Sequence, residues 1–180
     1  STEIGFADPE DLYYKMKNVY SWDALKRTDW FVDYQNFYTF CGVLSQRQLF
    51  VNVAKEMLKI GDAERAVEMI DMCQECVPVE NFPLDMVYLG FSNEYMVLDM
   101  INIYYECGED EKGADLAARF AAELLASSEF YLYNYDYARR EMETCYIHLS
   151  DLKDLAEFYG NTELADVIGK YFTDRLGIEE

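Results

Sequence analysis

KIGDAERAVEMIDMCQECVP, residues 59–78, is the stretch whose reading decides the fold. Just before it, Leu49, Phe50, Val53, Ala54, Met57 and Leu58 recur at steps of three and four, the period of one face of an α-helix. Lys59-Ile60-Gly61 ends that helix, because glycine takes positive φ without a Cβ penalty. Asp62 is placed to cap a second helix, and Glu64 falls in its first turn, where the helix dipole favours an acid. Ala63, Ala66, Val67, Ile70 and Cys73 form the second apolar stripe, and Val77-Pro78 stops it. The stretch therefore reads as the turn and second arm of a helical hairpin.

The same grammar returns twice. Residues 96–108, MVLDMINIYYECG, run to Gly108, and EDEKGADLAARFAAELL (109–125) follows as a second arm. Residues 146–160, YIHLSDLKDLAEFYG, run to Gly160, and NTELADVIGKYFTDRL (161–176) follows. The glycines stand 47 and 52 residues apart, against about 34 for a tetratricopeptide unit, the excess falling in 79–92 and 128–140. The first hairpin resembles the tetratricopeptide pattern most, with Phe50 as the bulky anchor, Ala54 and Ala66 as the small facing pair, and Pro78 as terminator. In the second, Ile101 and Gly113 hold the two small-residue places; in the third, Lys153 does. The expected fold is all-α, a tetratricopeptide-like α-α superhelix of about three hairpins, at about 43–77, 92–128 and 138–177. They form a repeat domain over 41–180, behind an N-terminal aromatic-rich capping segment at 1–40. In that segment Asp8 and Pro9 open a short helix, Ser21 or Asp23 starts a single turn, and 30–40 reads as extended. Trp22, Trp30 and Phe31 are expected to seal the open end of the array.

Composition narrows the function. The chain has 180 residues, 51% of them apolar, enough for a core. Its net charge is −20, which repels phosphate backbones and anionic headgroups, so nucleic acid and direct membrane insertion are not expected partners. No run of about 18 apolar residues occurs. The sequence opens without Met or a signal peptide and is expected to be a piece of a longer chain, with any membrane segment outside it.

The residues that carry chemistry form no reaction centre. Cys41, Cys73, Cys76, Cys107 and Cys145 are odd in number and irregular in spacing, which suits small buried residues better than a disulfide framework. Cys73 and Cys76 close a helix, whereas a redox pair opens one. Zinc would need a second pair, and His148 is the only histidine. His148, three residues from Cys145, reads as a packing or surface residue rather than a base. Glu109-Asp110-Glu111 reads as helix N-terminal acid, and Asp151 with Asp154 as a weak cation pair at most. No catalytic residue, cofactor or metal is expected. The tract EFYLYNYDYARR (129–140) holds four tyrosines and a phenylalanine, which suits either packing between repeats or contact with peptide or sugar.

With these residues laid out, nearly the whole chain resembles the C-terminal region of bacterial multi-spanning membrane proteins related to protein O-mannosyltransferases. The likeness runs through WDALKRTDWFVDYQN (22–36), then Arg47, Phe50, Ala54, Met57, Gly61, Ala66 and Ile70-Asp71. It continues through Pro78 and Pro83-Leu84-Asp85, IYYECGEDEKG (103–113) and the tail from Tyr159 to Ala165. Gln35-Asn36-Phe37 departs from the Asn-Asn-Arg that such proteins often carry. The resemblance implies a parent with an upstream bundle of membrane helices, a lipid-sugar-dependent glycosyltransferase. This segment would be its extracytoplasmic, periplasmic domain, with a cytoplasmic site as the alternative. The expected role is a non-catalytic protein-interaction module that grips an acceptor polypeptide or partner subunit in a helical groove. The alternatives are a carbohydrate-binding accessory and a structural or self-association domain. Candidate groove residues are Arg47, Asn52, Tyr95, Asp99 and Asn102, polar or amphipathic positions on first helices, with Tyr131, Tyr133 and Tyr135 from the aromatic tract.

Overall fold

The computed structural model describes residues 8–29, 31, 43–85, 87–88 and 91–177, with side chains throughout except at 43–44, 87–88 and 91–95. The fold is all-α. In chain order the helices are α1 (Pro9–Asn18), α2 (Asp23–Lys26), α3 (Val43–Lys59), α4 (Ala63–Cys76), α5 (Asn93–Glu106), α6 (Asp110–Tyr133), α7 (Tyr135–Phe158) and α8 (Thr162–Tyr171). A π-helical turn, Phe172–Leu176, closes the last of them. Before α5 the backbone makes one two-residue antiparallel ladder, β1 (Val87–Tyr88) with β2 (Phe91–Ser92).

The chain separates into two compact units, Ser1–Pro83 and Leu84–Glu180. Within the first unit, Trp22 joins the N-terminal segment to the first hairpin. Its indole is buried, lies 4.8 Å from the Phe50 ring centroid and donates Nε1–H to the Met16 carbonyl at 2.8 Å. The N-terminal segment thus shares a core with the first hairpin. Trp22, one of the three aromatics expected to seal the array, is buried against Phe50. Phe31 is 87% exposed, and Trp30 lies outside the described residues, as does the stretch 32–40.

Three turns join the hairpin arms, and all three have the same geometry. Gly61, Gly108 and Gly160 have φ of 82°, 78° and 76°. The residue after each glycine donates its amide back across the helix end, Asp62 to Met57, Glu109 to Tyr104 and Asn161 to Ala156, at 2.8–2.9 Å. Each glycine amide bonds a carbonyl three residues back. This double closure satisfies carbonyls that the helix itself leaves open. Asp62 and Asn161 then cap the following arms through their side chains, by accepting from the amides of Arg65 and Leu164. Glu109 does not, and α6 starts without a side-chain cap. Nothing lies within 4 Å of a Cβ built on Gly108, so Gly108→Ala isolates the backbone term. It should cost about 1–2 kcal/mol in chemical denaturation, the penalty of left-handed backbone for an L-residue.

Burial follows the two periodicities. In the first unit Phe50, Val53, Ala54 and Met57 of α3 meet Ala66, Met69, Ile70 and Cys73 of α4, all but fully buried. In the second unit α6 packs against both α5 and α7, and α7 packs against α8. Gly113 lets α6 approach α5: a Cβ there would stand 3.1 Å from the Tyr105 ring, which is itself stacked on Tyr159 at 4.5 Å and 14°. The expected spacer at 128–140 is absent as a loop. Helix α6 continues to Tyr133, a single Asn134 breaks it, and α7 begins at once, with non-helical backbone at Ala138. Leu, Tyr, Phe and Ser offer no breaker between 125 and 133, so the helix runs on until asparagine interrupts it.

Candidate functional site

Arg47 is the clearest correction among the expected groove residues. It sits on α3 with 1% of its surface exposed, and its Nη2 donates to the Phe82 carbonyl at 2.8 Å while Nη1 reaches the Pro83 carbonyl at 3.4 Å. The guanidinium is spent on tying the chain after α4 to α3 and offers nothing to a ligand. It also neighbours the Cys73 thiol. Its charge favours the thiolate, yet burial outweighs it and pushes Cys73 up to about 12. Desolvation therefore dominates here, and Cys73 is an inert core residue. Cys76, up at about 11 through burial, and the buried Cys145 read the same way. Cys107 is only partly buried, and Cys41 lies outside the described residues.

The other first-helix candidates are partly exposed but already engaged. Asn52 accepts from Gln48 at 2.8 Å. Asn102 donates to Glu106 at 2.8 Å and accepts the Tyr159 hydroxyl at 2.9 Å, so it ties α5 to the C-terminal cap of α7. Asp99 is half-buried on α5. Tyr95 lies on α5, but its side chain is outside the described set.

His148 is buried on α7, and burial lowers its pKa to about 4. It is neutral at pH 7, and of the two places expected for it, packing or surface, it takes the buried one. The sign of its pH effect follows from linkage. Between about pH 6.5 and 4 the unfolded chain binds a proton that the native chain refuses, so stability falls as pH falls through that window. The loss amounts to up to about 3 kcal/mol and flattens below the native value. His148→Gln should remove that difference. Denaturant midpoints of both chains from pH 7 to 4 check it, and parallel curves would contradict the burial.

Two surface features remain. An open hollow of about 590 Å³ lies against α1 and α4, lined by Tyr13, Lys17, Asp62, Arg65 and Glu68. Four of its charged side chains, Lys17, Glu68, Asp62 and Arg65, are held in ion pairs. Glu68 accepts from both Lys17 and the Tyr13 hydroxyl, and Lys17 with Tyr13 hold its carboxyl below the ordinary range. Arg65 binds Asp62 at 2.6 Å and Glu10 at 3.2 Å. This is a clasp of α1 onto α4, built from exposed ion pairs of small individual worth.

The second feature is the tip where α6 turns into α7. Phe130 is 64% exposed, Tyr133 89% and Tyr137 94%, with Tyr135 less so and Tyr131 half-buried. Phe130 and Tyr133 are three residues apart on α6 and so share a face. Leu132, Tyr133, Asn134, Tyr135, Asp136 and Tyr137 line a shallow hollow of about 170 Å³. A bidentate pair anchors the base of the tip: Arg175, in the π-helical turn after α8, holds both oxygens of Glu129 on α6. Of the eight residues expected to bind, Tyr133 and Tyr135 are brought together here with solvent-facing rings. Phe130 and Tyr137 belong with them, and their presence in the same aromatic run was the signal for them. Packing between repeats does not account for rings this open.

No protein-family model, curated protein or solved structure matches the chain.

Proposed function

We propose that this chain is a non-catalytic, helical-hairpin interaction module that binds another polypeptide, an acceptor or a partner subunit, through the aromatic tip of its α6–α7 hairpin. The observation that carries the reading is the exposure of Phe130, Tyr133 and Tyr137 at one end of a packed hairpin. Large apolar rings held in water are costly to maintain without a partner and supply contact area with little side-chain entropy to lose. The groups that do chemistry elsewhere are unsuited to it here: His148 is buried and down near 4, and Cys73 is up near 12. The groove along the first helices gives way to the tip in this reading, because Arg47 is withdrawn and Asn102 is engaged.

A tetratricopeptide-like superhelix remains the proposed form of the three hairpins, supported by the shared geometry of their glycine turns. The proposed setting is the extracytoplasmic side of a membrane-anchored, glycosyltransferase-like parent. Its support is the likeness of residues 22–36, 103–113 and 159–165 to that family, and none of the helices described here is long and apolar enough to cross a membrane. Membrane helices encoded directly upstream would sustain this setting, and a soluble full-length product would end it.

A carbohydrate reading has one observation in its favour: Tyr133, Tyr135 and Tyr137 alternate with Asn134 and Asp136, ring faces beside hydrogen-bonding groups. Panning a random peptide library on the chain separates the readings. Sequences whose binding is lost on Phe130→Ala or Tyr133→Ala are expected. A failure to select any, with signal on a glycan array instead, would favour sugar.

A further inference from the structure

The tip repeats, without its cation, a piece of chemistry that the chain uses on itself. In the first unit the Tyr13 ring has the Arg65 guanidinium 5.3 Å and the Lys17 ammonium 5.7 Å from its centroid, with the Glu68 carboxylate bonded alongside. In the second, Lys112 lies 5.7 Å over the Tyr104 ring. A ring face and an adjacent carboxylate together hold a cation, the first by its quadrupole and the second by its charge. At the tip, Asp136 falls between Tyr135 and Tyr137 in sequence and lines the same hollow as they and Tyr133 do, with all three rings exposed. The cation–π contacts of the described residues fall on Tyr13 and Tyr104 and not on these rings. Arg139, the first arginine that follows, is paired with Glu143 at 2.8 Å.

We infer that the α6–α7 tip docks a Lys- or Arg-bearing segment of a partner polypeptide, its cation seated against Tyr133 and Tyr137 beside Asp136. Charge complementarity selects this occupant. A chain of net charge −20 steers cationic partners toward itself and repels a second copy and an anionic surface alike. Shape agrees, since a hollow of about 170 Å³ is below the roughly 300 Å³ at which pockets begin to enclose small ligands. The contact is therefore made by a segment laid on the tip.

The inference rests on the polypeptide-binding reading above, and the experiment separates the two. A random peptide library is panned on the immobilised full chain and on the Tyr133→Leu, Tyr137→Leu double variant, which keeps the net charge and side-chain bulk but removes the ring faces. A Tyr133→Ala, Tyr137→Ala variant serves if the leucines disturb folding. Selected peptides are then titrated against each. The expected result is a recurrent Lys or Arg, affinity roughly 5- to 30-fold lower for the ring-less variant, and loss of binding when that cation becomes Ala. Tip-dependent peptides with no recurrent cation overturn the inference and leave the interaction module standing. Cationic peptides that bind chain and variant equally report only the acidic surface and overturn the inference. Selection of no peptide, with tip-dependent binding to phosphatidylcholine vesicles or a neutral glycan instead, overturns both.

Discussion

Arg47→Ala should lower the unfolding free energy by about 3–5 kcal/mol, among the largest losses available in the chain. The guanidinium is 1% exposed and is a donor to the carbonyls of Phe82 and Pro83. Removing it leaves those buried acceptors without their donor, at about 1–3 kcal/mol for a well-made bond, and opens a void the size of a long side chain. Arg47→Met separates the two contributions. Methionine refills much of the volume and restores no hydrogen bond, so it should still lose about 2–3 kcal/mol. Urea midpoints with unchanged slope give the values. Losses under about 1 kcal/mol in both variants would mean that the guanidinium is not committed to those carbonyls, and Arg47 would return to the set of binding residues.

Phe50→Ala is expected to cost a similar amount, about 3–5 kcal/mol, through a different mechanism. Phe50 is fully buried on α3 and is the residue on which Trp22 rests, ring centroids 4.8 Å apart. Truncation removes the apolar contact and leaves a cavity beneath the indole. Trp22 keeps its hydrogen bond to the Met16 carbonyl, so the segment before α3 should remain attached while packing loosens. Trp22 emission, read in a Trp30→Phe background, should shift to the red in the variant before any denaturant is added. Phe50→Leu, which keeps most of the volume, should recover more than half of the loss. An unshifted spectrum together with a small loss of stability would remove Trp22 from the core of the first hairpin.

The hairpins were legible in the sequence because their signals are local. Gly61, Gly108 and Gly160 sit where an apolar stripe ends, and only positive φ closes the helix end in the manner seen at all three. Asp8, Asp62 and Asn161 announce helix starts by residue type alone. The limits of the second arm were not legible. The tract after residue 125 alternates tyrosines at steps of two, which matches neither a helical stripe nor a turn, and the helix continues through it to Tyr133.

The site was legible in part, for a related reason. Arg47 looked like a polar residue on a first helix, a candidate for contact with a partner. Its burial depends on two carbonyls 35 and 36 residues further on, which no local pattern reveals. Asn102 was misplaced in the same way, since its partner Tyr159 is 57 residues away, at the C-terminal cap of α7. For the tyrosine tract the sequence marked an aromatic run and left its environment open. Whether a ring packs or projects is decided by the neighbouring helices, and here α6 and α7 end together and leave Tyr133 and Tyr137 in water. Phe31 fails in the opposite direction: an aromatic expected to seal the open end of the array is 87% exposed.

The most direct test of the central claim is a map of amide chemical-shift changes in the labelled chain as a tip-selected, cation-bearing peptide is added. The account predicts that the changes concentrate between Glu129 and Arg140 and saturate with the binding curve. Changes gathered instead along α3 and α5, around Asn52, Asp99 and Asn102, would return the binding surface to the first helices and contradict it.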